Sequence, residues 1–142
     1  MFIGCVSCDW KCCNEQSLPN TICQNSKLKS MPEINMPVDE IFHRYIENDI
    51  TKCIVIGGLE PMLQFDELVE LIDYFRKNKN NDEFVIYTGY YPEEIQDKIS
   101  HLQLYNNIVI KFGRYIKDSK PRFDYILGVN LASDNQYAKK IS

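Results

Sequence analysis

The sequence predicts an α/β fold, either a mostly parallel open sheet or a partial (β/α) barrel. Two observations carry that expectation. Short continuous apolar runs, Cys53-Ile54-Val55-Ile56, Phe84-Val85-Ile86-Tyr87 and Ile108-Val109-Ile110, each stop at or near a glycine: Gly57-Gly58, Thr88-Gly89 and Gly113. Between them lie stretches with apolar residues at helical spacing. Strands alternating with helices build right-handed βαβ units on a parallel sheet. The units are too few to close an eight-stranded barrel.

Met1 to Val6 is short and apolar and suits a first strand. The polar, cysteine-bearing segment that follows reads as a loop, and Ser26 to Pro37 as an irregular connection without period. Pro37 suits the first turn of a helix, with Asp39 and Glu40 near its positive end. Val38, Ile41, Phe42, Tyr45 and Ile46 give that helix one buried stripe, fading at Asn48-Asp49. The run 53–56 shows no alternation, which predicts a strand covered on both faces, with Cys53 a buried core thiol. Phe65, Leu68, Leu71, Ile72 and Phe75 mark a second helix, and Pro92-Glu93-Glu94 opens a third. Glu93 and Glu94, like Glu67 and Glu70, read as helix-surface charge. A last short strand is expected around Ile126 to Val129, before the polar Ser133-Asp134-Asn135-Gln136.

At 142 residues the chain fits one domain, 1–142, with a cysteine loop at about 5–25. A net charge of −4 argues against nucleic acid, whose phosphates demand a basic surface. Tyr and Phe fall in periodic apolar segments, so they read as core rather than as a base-stacking platform. No apolar run reaches the roughly 18 residues a membrane span needs, and the start lacks a basic, then apolar, export signal. A cytoplasmic protein with reduced cysteines is expected, favouring metal or cluster binding over disulfides.

Three thiols stand out. Cys8 and Cys12 share a polar loop, and Cys23 returns after an insert containing Asn14, Glu15, Gln16, Ser17, Pro19 and Asn20. Thiolates on a flexible loop suit soft metals and iron–sulfur clusters. Three ligands around four irons leave one iron free for a small molecule. Spacing alone leaves a zinc knot open, built from four of Cys5, Cys8, Cys12, Cys13 and Cys23, because Cys5-Val6-Ser7-Cys8 has zinc-knuckle spacing. Since ligands collect beyond the carboxyl ends of parallel strands, Cys8, Gly57-Gly58, Thr88-Gly89 and Gly113 are expected on one sheet edge. The Gly57–Pro61 turn lets backbone approach a ligand closely, and Tyr90 could stack on one or merely cover the core. His43 and His101 receive no role. There is no Ser-His-Asp pattern, phosphate loop or H-E-x-x-H.

These residues, taken together, resemble the small radical S-adenosylmethionine (SAM) proteins, above all the activating proteins of anaerobic ribonucleotide reductase. That family carries C-x3-C-x2-C after its first strand, with Asn two residues past the last cysteine. Cys8-x3-Cys12 is similar to the first pair, and Cys23-Gln24-Asn25 to the end. Gly57-Gly58-Leu59-Glu60-Pro61 resembles the Gly-Gly-Glu/Asp-Pro that holds the amino group of SAM, and Tyr87-Thr88-Gly89-Tyr90 the activases' Thr-Gly-Tyr. Gly113-Arg114-Tyr115 and Ser133-Asp134-Asn135-Gln136 resemble later segments. Ten residues separate Cys12 from Cys23 where the family has two, and Leu59 interrupts the glycine motif. Glu15 stands where a close-spaced third cysteine would be; Ile22 replaces the usual aromatic before the third cysteine, and Trp10 could shield the cluster instead.

The resemblance implies a partial barrel of the radical SAM type and an oxygen-sensitive oxidoreductase of anaerobic metabolism. It implies a [4Fe-4S] cluster on Cys8, Cys12 and Cys23. SAM would be held by Asn25, Gly57, Gly58, Glu60, Pro61, Thr88, Gly89 and Tyr90, with no catalytic side chain beyond cluster and SAM site. The implied partners are a glycyl-radical enzyme such as anaerobic ribonucleotide reductase and a one-electron donor of flavodoxin or ferredoxin type. Two rivals remain: a non-catalytic zinc- or cluster-binding regulatory module, and a radical SAM enzyme acting on another substrate.

Overall fold

The apolar runs become the centre of a five-stranded sheet. In the computed structural model, which describes residues 1–142, β1 (Phe2–Cys5), β2 (Cys53–Gly58), β3 (Glu83–Tyr87) and β4 (Ile108–Phe112) pair in sequence order, all parallel. β5 (Arg122–Asp124) and β6 (Val129–Leu131) form a separate antiparallel hairpin, and β7 (Tyr137–Lys140) closes the sheet antiparallel to β4. The helices are α1 (Lys11–Asn14), α2 (Val38–Ile46), α3 (Phe65–Lys77) and α4 (Gln96–Leu102). The molecule is thus α/β with a mostly parallel sheet. No helix is long and apolar enough to cross a membrane.

Strand parity divides the core. Ile54, Ile56, Phe84, Ile86, Ile108, Ile110 and Phe112 face α2, α3 and α4 in one apolar cluster. Phe75 of α3 is its hub, edge-on to Phe42, Tyr45 and Phe84 at ring-centroid distances of 5.0, 5.3 and 5.2 Å. Each such pair contributes about 0.5–1.5 kcal/mol beyond area burial. The other sheet face carries only a small cluster of Val85, Val109 and Ala138, partly covered by Leu127 of the hairpin. Asp124 fixes the hairpin there by accepting the Ala138 N–H at 2.8 Å.

This one-sided covering corrects several expectations. β2 is not covered on both faces: Cys53 and Val55 are half-buried, while Ile54 and Ile56 are buried. Pro92–Glu94 forms a separate 3-10 turn, and α4 starts after it. The expected strand at 126–129 is a turn leading into β6, while β5, β7 and the short α1 had no strong periodic signal. Glu94 is not free surface charge, because it binds Arg114.

Candidate functional site

The carboxyl ends of the parallel strands open into one cleft of about 430 Å³. Cys8, Cys12, Cys23, Asn25, Gly58, Glu60, Thr88, Gly89 and Gly113 line it, so segments scattered over a hundred residues share one cleft. Of the other expected residues, Gly57, Pro61 and Tyr90 lie outside this lining. Gly57 sits in the sheet, where a Cβ would come 3.2 Å from Tyr87 Cβ and 3.5 Å from the Phe2 ring. Pro61 is buried at the start of a 3-10 turn. Tyr90 turns behind the cleft and its hydroxyl donates to Asp9 Oδ2 at 2.6 Å.

The cysteine loop owes its shape to Trp10, whose φ of 60° puts a bulky residue in the left-handed region. That region is strained for such a side chain. The bend lets Trp10 N donate to Cys8 Sγ at 3.3 Å and Trp10 O accept from Cys13 and Asn14 at 2.9 Å, starting α1. Cys12 and Cys23 face the same cleft, close enough for each to shift the other's titration, and the backbone N–H groups of Asn25 and Ser26 lie near the Cys23 thiol. The neighbouring Cys12 thiol and these N–H groups draw the Cys23 thiol below its ordinary value, whereas Cys12 is raised by Cys23 and by burial. Burial pushes Cys8 up to about 11 and Cys5 up to about 12.

Cys5 packs in the helix-side core and Cys13 is 1% exposed, although its sulfur lies 3.9 Å from Cys12 Sγ. Neither thiol lines the cleft. No three His, Cys, Asp or Glu side chains converge as a single metal ion requires. A zinc knot using Cys5 therefore has no counterpart in this arrangement. Three soft sulfur donors around one open cleft suit an iron–sulfur cluster, which is larger than one ion.

Glu60 organises the opposite wall. It is 5% exposed, and its Oε1 accepts from Thr88 Oγ1 at 2.7 Å and Met62 N at 3.0 Å. Its Oε2 accepts from Gly89 N at 2.8 Å. Burial raises its pKa, partly offset by these three donors. Gly58 takes φ +87°, where a Cβ would meet Leu28 Cδ1 at 2.9 Å and Gly4 Cα at 3.3 Å. Glycine is required here for both conformation and close approach.

Lys111 escaped the sequence reading. It is 7% exposed, lines the cleft, and donates from Nζ to Gly113 O at 2.9 Å with no carboxylate within ion-pair distance. Burial draws its pKa down to about 8. A single cation inside the run Ile108 to Phe112 was the available signal.

Arg114 was also missed as a partner of the cysteine loop. It grips Glu94 with Nη1 at 2.8 Å and Nη2 at 2.6 Å, and Lys11 Nζ joins Glu94 at 3.0 Å. Its Nε lies 2.8 Å from Glu15 Oε2, but off the N–H axis, so this contact is ionic rather than a hydrogen bond. The Arg114 grip is the main reason Glu94 falls to about 2. Gln16 adds bonds to Cys12 O at 2.6 Å and Tyr115 O at 2.8 Å. Together these fasten α1, which bears Cys12, to the ends of β3 and β4.

A family model described as a 4Fe-4S single cluster domain matches residues 2–132. No curated protein and no solved structure gives a significant match.

Proposed function

The chain belongs to the 4Fe-4S single cluster domain family, and from that premise we propose that it is a radical SAM protein that makes a glycyl radical on a partner enzyme, an anaerobic ribonucleotide reductase being the first candidate. One observation carries the reading: the thiols of Cys8, Cys12 and Cys23 share a cleft with the Gly58–Glu60 turn and with Thr88-Gly89. The residues that would hold the cluster are those three cysteines. When bound and reduced, such a cluster supplies one electron, which cleaves the SAM sulfonium to methionine and a 5′-deoxyadenosyl radical.

The chain's own contribution is to bind, orient and exclude water. Backbone groups of the Gly58-Leu59 turn offer partners to the ammonium and carboxylate of methionine. Glu60 Oε2, with a single donor in Gly89 N, has a second lone pair for an ammonium. Asn25 stands beside Cys23 on the same wall. The partner's glycine must reach near-contact with the adenosyl carbon for hydrogen transfer, and the sheet face that carries no helices supplies an open approach.

The test is anaerobic reconstitution with iron and sulfide, followed by reduction with SAM and the candidate reductase. Expected are methionine and 5′-deoxyadenosine, a glycyl radical by electron paramagnetic resonance, and deuterium from labelled partner glycine in the deoxyadenosine. SAM cleavage without radical or deuterium transfer rejects the activase role and points to another substrate. Zinc without iron or sulfide rejects the radical SAM reading altogether.

A further inference from the structure

We propose that the groove between the cysteine loop and the free edge of β6 docks an extended, acidic segment of a partner protein, added to β6 as one more strand. β6 pairs only with β5, so its other edge is without a strand. Outside the hairpin, residues 129–132 make no backbone hydrogen bonds. That edge forms one wall of a cavity of about 310 Å³, with Val129, Asn130, Leu131 and Ala132 in succession. Cys23, Gln24 and Asn25 form the facing wall. An unpaired edge offers a row of donors and acceptors that an incoming strand satisfies in register. Four residues at about 3.4 Å each give a seat on the order of 14 Å long.

The groove is continuous with the cluster cleft, because Cys23, Asn25, Tyr87, Lys111, Tyr115 and Gln136 line both. A segment seated on β6 therefore lies in a groove that Cys23 itself lines. The hairpin is also apolar on its outside: Phe123, Tyr125, Ile126 and Val129 are all exposed. Exposed side chains of this size on so small a hairpin suit contact with a partner.

Charge selects the occupant. The chain carries −4 overall, yet residues 116–132, the hairpin and the approach to it, hold Lys117, Lys120 and Arg122 against Asp118 and Asp124. Lys117, Lys120 and Arg122 are exposed on the approach to β5, and Lys27 follows Asn25 on the facing side. Of these, only Lys117 has a carboxylate partner, its own neighbour Asp118. An acidic segment complements this rim. A second copy of the chain would bring like charges together at the same edge.

The inference rests on the proposed function only for what the segment delivers to the cluster; binding is measured without SAM or turnover, so the two readings fail separately. The probe is a short fluorescent peptide alternating Glu and Val around a central Gly. A Lys-for-Glu counterpart and an acidic peptide N-methylated along one edge serve as comparisons. With the full-length reconstituted protein, anisotropy should show the acidic peptide binding about tenfold or more tighter than either comparison, and weakening as salt rises. Hydrogen exchange should slow at the amides of residues 129–132, and Arg122→Glu should weaken binding by about tenfold while leaving cluster content unchanged. Equal binding of the N-methylated peptide, or protection located elsewhere, overturns strand addition. Equal binding of the basic peptide overturns the acidic partner, and self-association without peptide binding would make the occupant a second copy.

Discussion

Thr88 Oγ1 lies 2.7 Å from Glu60 Oε1, and both groups are buried. Two strand-end turns, 28 residues apart in sequence, are held by this one carboxylate. Tyr90 N donates in turn to Thr88 Oγ1 at 3.0 Å, extending the chain of bonds to the residue that ties down Asp9. The cleft wall is thus pre-formed by hydrogen bonds within the protein.

Glu60→Gln should therefore weaken that wall. An amide would set an NH₂ against at least one of the donors Met62 N and Gly89 N. The expected loss is about 1–3 kcal/mol of stability, the cost of a buried mismatched polar group. Anaerobic reconstitution should still give full iron and sulfide, while equilibrium dialysis shows reduced SAM affinity. Undiminished SAM binding in the folded variant would remove Glu60 from the site.

Replacing Cys8, Cys12 or Cys23 by Ala should abolish iron and sulfide incorporation. Cys5→Ala, Cys13→Ala and Cys53→Ala should retain it, since none of those thiols lines the cleft. Metal analysis and the reduced-cluster paramagnetic signal provide the measurement. Cluster loss in Cys13→Ala with retention in Cys23→Ala would reverse the ligand set.

Arg114→Ala should leave Glu94 and Glu15 without their buried cation. Truncating one partner of such a pair costs about 3 kcal/mol or more when fully buried, and less here because Glu15 is largely exposed. Thermal unfolding should fall, and a chelator should strip iron faster than from the parent protein. The Glu94 carboxyl is depressed to about 2, so its contribution is present above the ordinary carboxylate range and is lost as pH falls through about 2. An unchanged rate of iron loss would mean that the grip does not hold the cysteine loop.

Lys111→Met should stabilise the cluster-free protein, by about 1–3 kcal/mol at neutral pH. The parent buries an amine whose pKa is drawn down to about 8, so the folded state resists the proton that the unfolded chain accepts. Between about 8 and the ordinary lysine value the unfolded chain binds more protons, and stability should rise with pH there. Chemical denaturation across that window should show the slope in the parent and lose it in the variant.

Continuous apolar runs separated by stretches of helical period were enough for the α/β class and the parallel strands, because burial of each element in the core leaves a pattern that local sequence retains. Glycine stops marked the strand ends, and the Cys8, Cys12 and Cys23 spacing marked the loop. The short β5, β6 and β7 were less legible: three- and four-residue strands with exposed residues carry little period. Glu94 was misread for a related reason, since what a side chain beyond a strand end meets depends on what the next loop brings to it.

By itself the sequence determined the order of β1 to β4 and of the helices between β2 and β4, and that the chemistry-bearing turns would gather on one edge, since parallel connectivity forces their carboxyl ends together. Only the tertiary structure decided which thiols share the cleft, that Glu60 holds two turns at once, that Lys111 is a buried cation without a carboxylate, and that Arg114 fastens α1. Those are contacts between residues far apart in the chain. Their formation depends on packing, desolvation and hydrogen-bond geometry in three dimensions, and no local pattern encodes them.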